Sequence, residues 1–374
     1  MKAIVVGGGI MGLGTAWALA RAGHGVELFE QGPLPNPLAS SMDEHRLIRH
    51  PYGDYKGYAR MIDDAFAAWD LMWRDLGQRF YAPTGTLALT GEGNDWAARS
   101  AATLAATGRP MTQLTPDELA ARFPMIDASG VSRAYWLDSG GTLFAQDIVA
   151  ALARHLAAKT NVRLHAHTPV RSVDVEHGRL VTQSGGAHSA DVVIVAAGAW
   201  LGRLLPALAA RLVPSRQIVV YFDLPEAARA RWSKGPMVLD LSGKVGLYLV
   251  PPMEGRGMKV GDHEFSRVGD PDAPRDASVE EMRPLLERCR QLLRGFTDWR
   301  IDRLKVCYYT VSEDERFVVE KPGAKGWVMS PCSGHGFKFG AVMGLELART
   351  IATERDPIAH AQWAAGFEGD TPAS

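Results

Sequence analysis

The chain has 374 residues, enough for about two hydrophobic cores rather than one. Hydrophobic residues make up 46% and charged residues 22%, the balance of an ordinary soluble globular protein. The formal net charge of −1 gives no electrostatic basis for binding nucleic acid or an anionic membrane, and no apolar run reaches the ~18 residues of a spanning helix.

Ala3-Ile4-Val5-Val6 reads as a buried parallel strand. Gly7, Gly9 and Gly12 follow with G-x-G-x-x-G spacing, enclosing Ile10 and Met11, and a helix runs through Trp17, Leu19 and Ala20 to Gly23. A second strand, 26–29, ends at Glu30. Gly7 allows the tight turn, Gly9 lets a pyrophosphate touch the backbone at the helix N-terminus, and Gly12 brings helix and strand together. Glu30 is placed to accept hydrogen bonds from ribose hydroxyls; an acid there disfavours a 2′-phosphate and leaves NAD and FAD open. The same glycine pattern, with no basic leader before it, argues against a signal peptide.

Residues 33–41, rich in Pro, Ser and Asn, read as a loop. The spacing of Met61, Ala65, Trp69, Met72 and Trp73 predicts an amphipathic helix over 59–76. A strand over 85–90 and helices over 94–108 and 146–158 come next, then strands over 163–167 and 170–175. Residues 191–200 give a buried strand ending in small residues at Gly198, before Trp200. That is either a core strand or, beside the first motif, a second strand approaching FAD. Residues 216–224 and several runs within 235–268 read as strands, and 278–294 as a helix with Arg288, Arg290 and Arg294 in its last turns, where they suit the dipole. Trp327-Val328-Met329 is a short buried strand, and Val342, Leu345, Leu347, Ala348 and Ile351 mark a final helix. Between them lies Ser333-Gly334-His335-Gly336-Phe337-Lys338-Phe339, a glycine turn entering a helix, which favours negative charge at its backbone N–H groups. Two such turns more than three hundred residues apart imply that both ends of the chain close around one ligand. The expected organisation is α/β: a discontinuous nucleotide domain, residues 1–85, 142–213 and 308–374, interleaved with a substrate domain, 86–141 and 214–307, of mixed sheet plus helices.

Three cysteines, Cys289, Cys307 and Cys332, form neither a disulfide framework nor a metal pattern, so no metal is expected and a reducing cytoplasm is the simplest compartment. Taken alone, Cys307 reads as a small buried hydrophobe, Lys259 as a solvated strand lysine, Arg46 and Arg49 as a surface pair, and Tyr248 and His263 equally as cavity or ordinary residues.

In their order along the chain, these motifs resemble the D-amino-acid-oxidase superfamily of FAD oxidoreductases, and within it the branch of monomeric sarcosine oxidase and N-methyltryptophan oxidase. The resemblance is carried by Gly7, Gly9, Gly12 and Glu30; by Arg46-Leu47-Ile48-Arg49-His50 with Tyr52; by Met258-Lys259-Val260-Gly261 with His263; by Val306-Cys307 with Tyr309; and by Ser333 to Phe339. It implies a Rossmann-like FAD domain of the GR2 type and an interleaved α+β substrate domain on a mixed or antiparallel sheet. FAD would be contacted at the first glycine motif, Ile10, Met11, Glu30, Val170, Gly198, Trp200, Gly334, Gly336, Phe337 and Lys338, and joined to Cys307 by a thioether. Arg49 and Lys338 would bind a substrate carboxylate, Arg46 would lie by the isoalloxazine ring, and Lys259 would activate oxygen on the other face. Tyr248 and His263 would line the substrate cavity, and His335 would shape the turn against flavin and substrate, with no dedicated base required.

The implied reaction is oxidation of a small amino acid with a secondary, N-methyl amine, with O2 reduced to hydrogen peroxide, by a monomer or weak oligomer. A cyclic imino acid, a D-amino acid, a glycated amine, transfer of electrons to a carrier, and a non-catalytic flavin-binding protein remain open. Ser41-Met42-Asp43-Glu44-His45 departs from the family pattern before the arginine pair, as does Pro251-Pro252-Met253 before the lysine, so the lining near the flavin is expected to differ.

Overall fold

The computed structural model describes residues 1–367; the last residues of the segment expected at 308–374 lie outside them. A six-stranded sheet runs in the order Val318–Gly323, Gly326–Ser330, Val192–Val195, Lys2–Val6, Gly25–Phe29, Val162–His165. All its pairs are parallel except the first. Its inner strands are apolar at nearly every position, as strands covered on both faces must be. One face is covered by the helices Ile10–Arg21, Ala145–Ala157 and Gly340–Ala352, the other by a three-stranded sheet of Val170–Asp174, Arg179–Thr182 and Ala187–Ser189. The first and last of those helices touch backbone to backbone: a Cβ on Gly14 would stand 2.6 Å from the Gly340 carbonyl oxygen, and one on Gly344 2.4 Å from that of Gly14. Glycine at these positions thus joins the two ends of the chain over one sheet.

The second sheet has eight strands, in the order Arg300–Val311, Val213–Asp223, Met258–Asp262, Leu247–Val250, Met237–Leu241, Thr86–Thr90, Arg133–Leu137, Thr112–Leu114. Its pairing is antiparallel but for Met237–Leu241 against Thr86–Thr90. Alternation sorts its residues: Val238, Leu247, Leu249, Met258 and Val260 enter a core with the helices Pro116–Arg122 and Arg283–Leu292, while Leu239, Tyr248, Val250 and Lys259 face a cavity. A small sheet of Arg46–Ile48, Gly141–Leu143 and Tyr81–Pro83 stands at the junction.

Several expectations shift. The strand expected at 216–224 starts at Val213, although position 214 is proline. Its inner neighbour pairs only with Val219–Phe222, so the Pro214 nitrogen faces no partner strand. The helix expected over 278–294 spans Arg283–Leu292, with Pro284 in its first turn. Arg288 does not serve the dipole there: it is buried and donates from Nε to Asp240 at 2.7 Å. The strand expected to reach residue 167 stops at His165, since His167 adopts a φ of 52°. The strand Arg300–Val311 runs unbroken across residues 307 and 308.

Candidate active site

The two sheets and both chain ends enclose one cavity of about 620 Å³. Its nucleotide end is built by Gly7, Gly8, Gly9, Ile10 and Met11, at the junction of Lys2–Val6 with the helix Ile10–Arg21. Gly7 has a φ of 109°, and a Cβ on Gly12 would overlap the Gly7 carbonyl oxygen at 1.8 Å, so both positions exclude side chains. Gly12 therefore packs helix against strand without lining the cavity. Gly9 caps the helix without a side chain, and Ser41 Oγ accepts from the Ile10 N–H at 2.9 Å. Glu30, buried at the end of Gly25–Phe29, accepts from the Gly8 N–H at 2.7 Å, the Gly32 N–H at 2.9 Å and Asn36 Nδ2 at 2.8 Å. A carboxylate has about four acceptor sites, so these three donors leave one, on Oε2, for a ribose hydroxyl. Val170, Gly198 and Trp200 also line this end. Gly198 has a φ of 53°, and the Trp200 indole N–H donates to Asp272 at 2.7 Å. A cradle of bare backbone at a helix N-terminus, with an acid at the end of the next strand, fits a dinucleotide.

The other end holds four buried or largely buried cations, and they sort into two pairs. Arg46 and Lys259 share one carboxylate, Asp43: both donate to its Oδ2, while Tyr221 donates to its Oδ1. Burial pushes the Asp43 carboxyl up, but Arg46, Lys259 and Lys305 together hold it well below the usual range. Lys259 is 1% exposed; burial and Arg46 lower its pKa to about 8 against the pull of Asp43. Tyr248 lies over it, with Nζ 5.7 Å from the ring centroid.

The second pair has no such partner. Lys338, in the 3₁₀ turn Phe337–Phe339 at the mouth of the helix Gly340–Ala352, donates to Tyr52 Oη at 3.0 Å and to the His335 carbonyl at 2.6 Å. Arg49 donates to the Pro51 carbonyl, with its guanidinium 4.4 Å from the Tyr52 ring centroid and 5.8 Å from that of Trp96. Among the described residues neither meets a carboxylate. Burial lowers both pKa values, and the Arg49 charge pushes Lys338 well below its ordinary range. His335 is held neutral by burial and by Lys338; its Nδ1 faces Tyr52 Oη at 3.2 Å and its Nε2 the Glu315 carbonyl at 3.2 Å. His263, which lines the same end, is lowered to about 4, chiefly by burial. Gly334 and Gly336 complete the turn; a Cβ on Gly336 would overlap the Pro331 carbonyl oxygen at 1.7 Å.

The residues expected from the sequence thus line one cavity, with Gly12 and Cys307 outside its lining. Cys307 is 5% exposed in Arg300–Val311 and clusters with Tyr309, Phe265 and Cys332, all three of which do line it. Burial raises the Cys307 thiol pKa, and Arg46 draws it back. Sequence reasoning missed Ser41, Trp96, Asp262 and, above all, Asp43. Asp43 lay inside a segment marked as departing from the pattern, so its sign was readable, but of its four partners only Arg46 is near in sequence, and Tyr221, Lys259 and Lys305 come from three distant strands.

Known proteins place this architecture. The family described as FAD dependent oxidoreductase matches residues 2–350. Monomeric sarcosine oxidase from Bacillus sp. (strain B-0618) is 29% identical, covering 94% of this chain and 93% of that enzyme. N-methyl-L-tryptophan oxidase from Yersinia pestis (strain Pestoides F) is 23% identical, covering 94% and 95%. The crystal structure of L-proline dehydrogenase from P. horikoshii superposes with a TM-score of 0.83 at 21% identity, covering 98% and 96%. The bare-backbone cradle, the acid beyond it and a family match running from the first strand into the helix Gly340–Ala352 lead to one conclusion: the chain is an FAD-dependent oxidoreductase of the D-amino-acid-oxidase family.

Proposed function

We propose that the chain oxidises the carbon beside the amine nitrogen of a small amino acid bearing a secondary amine, sarcosine or another N-methyl amino acid. The observation that carries this reading is the pair Arg49 and Lys338: two buried cations, both lowered by burial and Lys338 lowered further by Arg49, neither meeting a carboxylate among the described residues. Two uncompensated buried charges are costly, and a substrate carboxylate is the ligand that relieves both. Arg49 offers a planar fork to that carboxylate and Lys338 a point charge. The same two charges favour the neutral amine over the ammonium, and the neutral amine is the form that can lose hydride. His335, with both ring nitrogens engaged, orients Tyr52 rather than taking a proton.

The chemistry FAD supplies when bound is acceptance of the hydride and return of the electron pair to O2, which with two protons becomes hydrogen peroxide. The C=N bond left on the substrate takes up water and breaks into an amine and a carbonyl compound. Gly7, Gly9, Ile10, Met11 and Glu30 hold the dinucleotide, and Gly334 and Gly336 bring the last turn against its ring end. Arg46 and Lys259 keep that end positive, Lys259 towards oxygen. Tyr248 and His263 bound the space for the substrate's tail. Cys307 carries the flavin covalently, supported by its place beside Phe265 and Cys332. Acid-precipitated holoprotein is expected to stay yellow and Cys307→Ser to release the colour; free FAD in the wild-type supernatant would remove the link. Turnover of an amine panel with product identification tests the substrate: formaldehyde from N-methyl amino acids supports the reading, and turnover confined to cyclic or glycated amines refutes it.

A further inference from the structure

We propose that Asp43 is a positioning residue that keeps Lys259 charged at the flavin end of the cavity. The inference rests on the reading of Lys259 as the cation that assists oxygen. Lys259 projects from Met258–Asp262, where Met258 and Val260 on either side turn into the opposite core. It has nowhere to snorkel, being 1% exposed, and its ammonium needs acceptors inside the protein. Two are present: Asp43 Oδ2, and the His45 carbonyl at 3.2 Å. Asp43 is itself 2% exposed and fixed by Arg46, by Tyr221 of the neighbouring strand and, at 3.8 Å, by Lys305 Nζ.

Every other group facing Lys259 either repels its proton or is neutral. Arg46 is the like charge that lowers it most, Tyr248 and Tyr221 stay un-ionised, Cys307 is buried and uncharged as thiol or thioether, and burial holds His45 neutral with a pKa of about 3. Even with Asp43 in place the Lys259 pKa reaches only about 8. Without Asp43, three cations would share a dry wall. Arginine cannot give up its proton and Lys305 is part-exposed, so Lys259 is the group that would go neutral. A carboxylate against a functional lysine could equally quench its charge, but Arg46 leaves the cluster net positive. The decisive question is therefore whether Lys259 keeps its proton near neutral pH. The donors around Asp43 make it a strong, permanently ionised acceptor that answers it.

The test has two readouts. The ¹⁵N signal of the Lys259 Nζ in wild-type holoprotein, assigned with Lys259→Met, is expected to titrate near pH 8, and in Asp43→Asn at clearly lower pH. Reoxidation by O2 of chemically reduced holoenzyme needs no amine substrate, so a wrong substrate does not affect it. Its alkaline limb is expected to follow Lys259. In Asp43→Asn the rate above that limb falls about tenfold for each pKa unit Lys259 has dropped, recovers at lower pH, and is retained in Asp43→Glu. An unmoved limb, or faster reoxidation in Asp43→Asn, overturns the proposal. If Asp43→Asn does not fold, a wild-type Lys259 already neutral at pH 7 overturns it and a protonated one with a normal Asp43→Glu limb supports it. Wild-type reoxidation in Lys259→Met would sink the oxygen role alone, since the ¹⁵N titration still decides what Asp43 does.

Discussion

Arg46 and Arg49 stand three residues apart in sequence, and their surroundings give them opposite tasks. Arg46 leans on Asp43; Arg49, against Tyr52 and Trp96, meets no carboxylate among the described residues, and we propose that it binds the charge of the substrate. The RxxR spacing announced two cations, but which of them was spoken for depended on Asp43, whose sign was legible and whose partners were not. The uncompensated pair makes a residue-scale prediction. Arg49→Met or Lys338→Met removes a charge-assisted bond to the carboxylate, worth about 1.5–3 kcal/mol, so the Kd of a carboxylate inhibitor should rise roughly 10- to 100-fold. Perturbation of the flavin spectrum measures it, and an unchanged Kd in both variants would place the carboxylate elsewhere. Arg49→Lys should recover only part of the loss, because it restores the charge without the fork.

At the scale of elements, the parts of the fold written in local spacing were readable: the strand–glycine–helix unit at the N-terminus and the glycine turn before the helix Gly340–Ala352. The order of the eight-stranded sheet was not, since its pairs join residues as far apart as Thr86–Thr90 and Met237–Leu241. Nor does any local pattern show that Gly14 meets Gly340 and Gly344. That crossing holds both glycine turns on one cavity, and it has no room. Gly344→Ala should lower stability by about 1–3 kcal/mol, the range for overpacking a tight contact, read as a fall in the thermal midpoint. Gly12→Ala should be more severe, because its Cβ meets the Gly7 backbone at 1.8 Å. It is expected to emerge without flavin colour, and full FAD retention would contradict the packing role given to Gly12.

For the whole molecule, folding buries histidines far from each other in sequence. His45, His263 and His360 are kept neutral, chiefly by burial, with pKa values of about 3, about 4 and about 4. An unfolded imidazole titrates near 6.5, so the unfolded chain binds more protons between these values. The stability these groups contribute is present above pH 6.5 and is lost as pH falls towards 4. Asp262, raised to about 6 mainly by burial, acts in the opposite sense, as do Asp64 and Glu346, but burial lowers further imidazoles too, His50 and His335 among them. The thermal midpoint should therefore fall steadily from pH 7 to pH 5; a flat profile would show these imidazoles to be solvated.

The central claim is that one cavity joins a bound flavin to a carboxylate-bearing amine. It is tested most directly by mixing the holoenzyme anaerobically with sarcosine, other N-methyl amino acids and an N-methyl amine of similar size that lacks the carboxylate. The flavin absorbance near 450 nm should bleach with at least one of the amino acids and stay unchanged with the carboxylate-free amine. Bleaching by that amine at an equal rate, or by none of the compounds, would contradict the account.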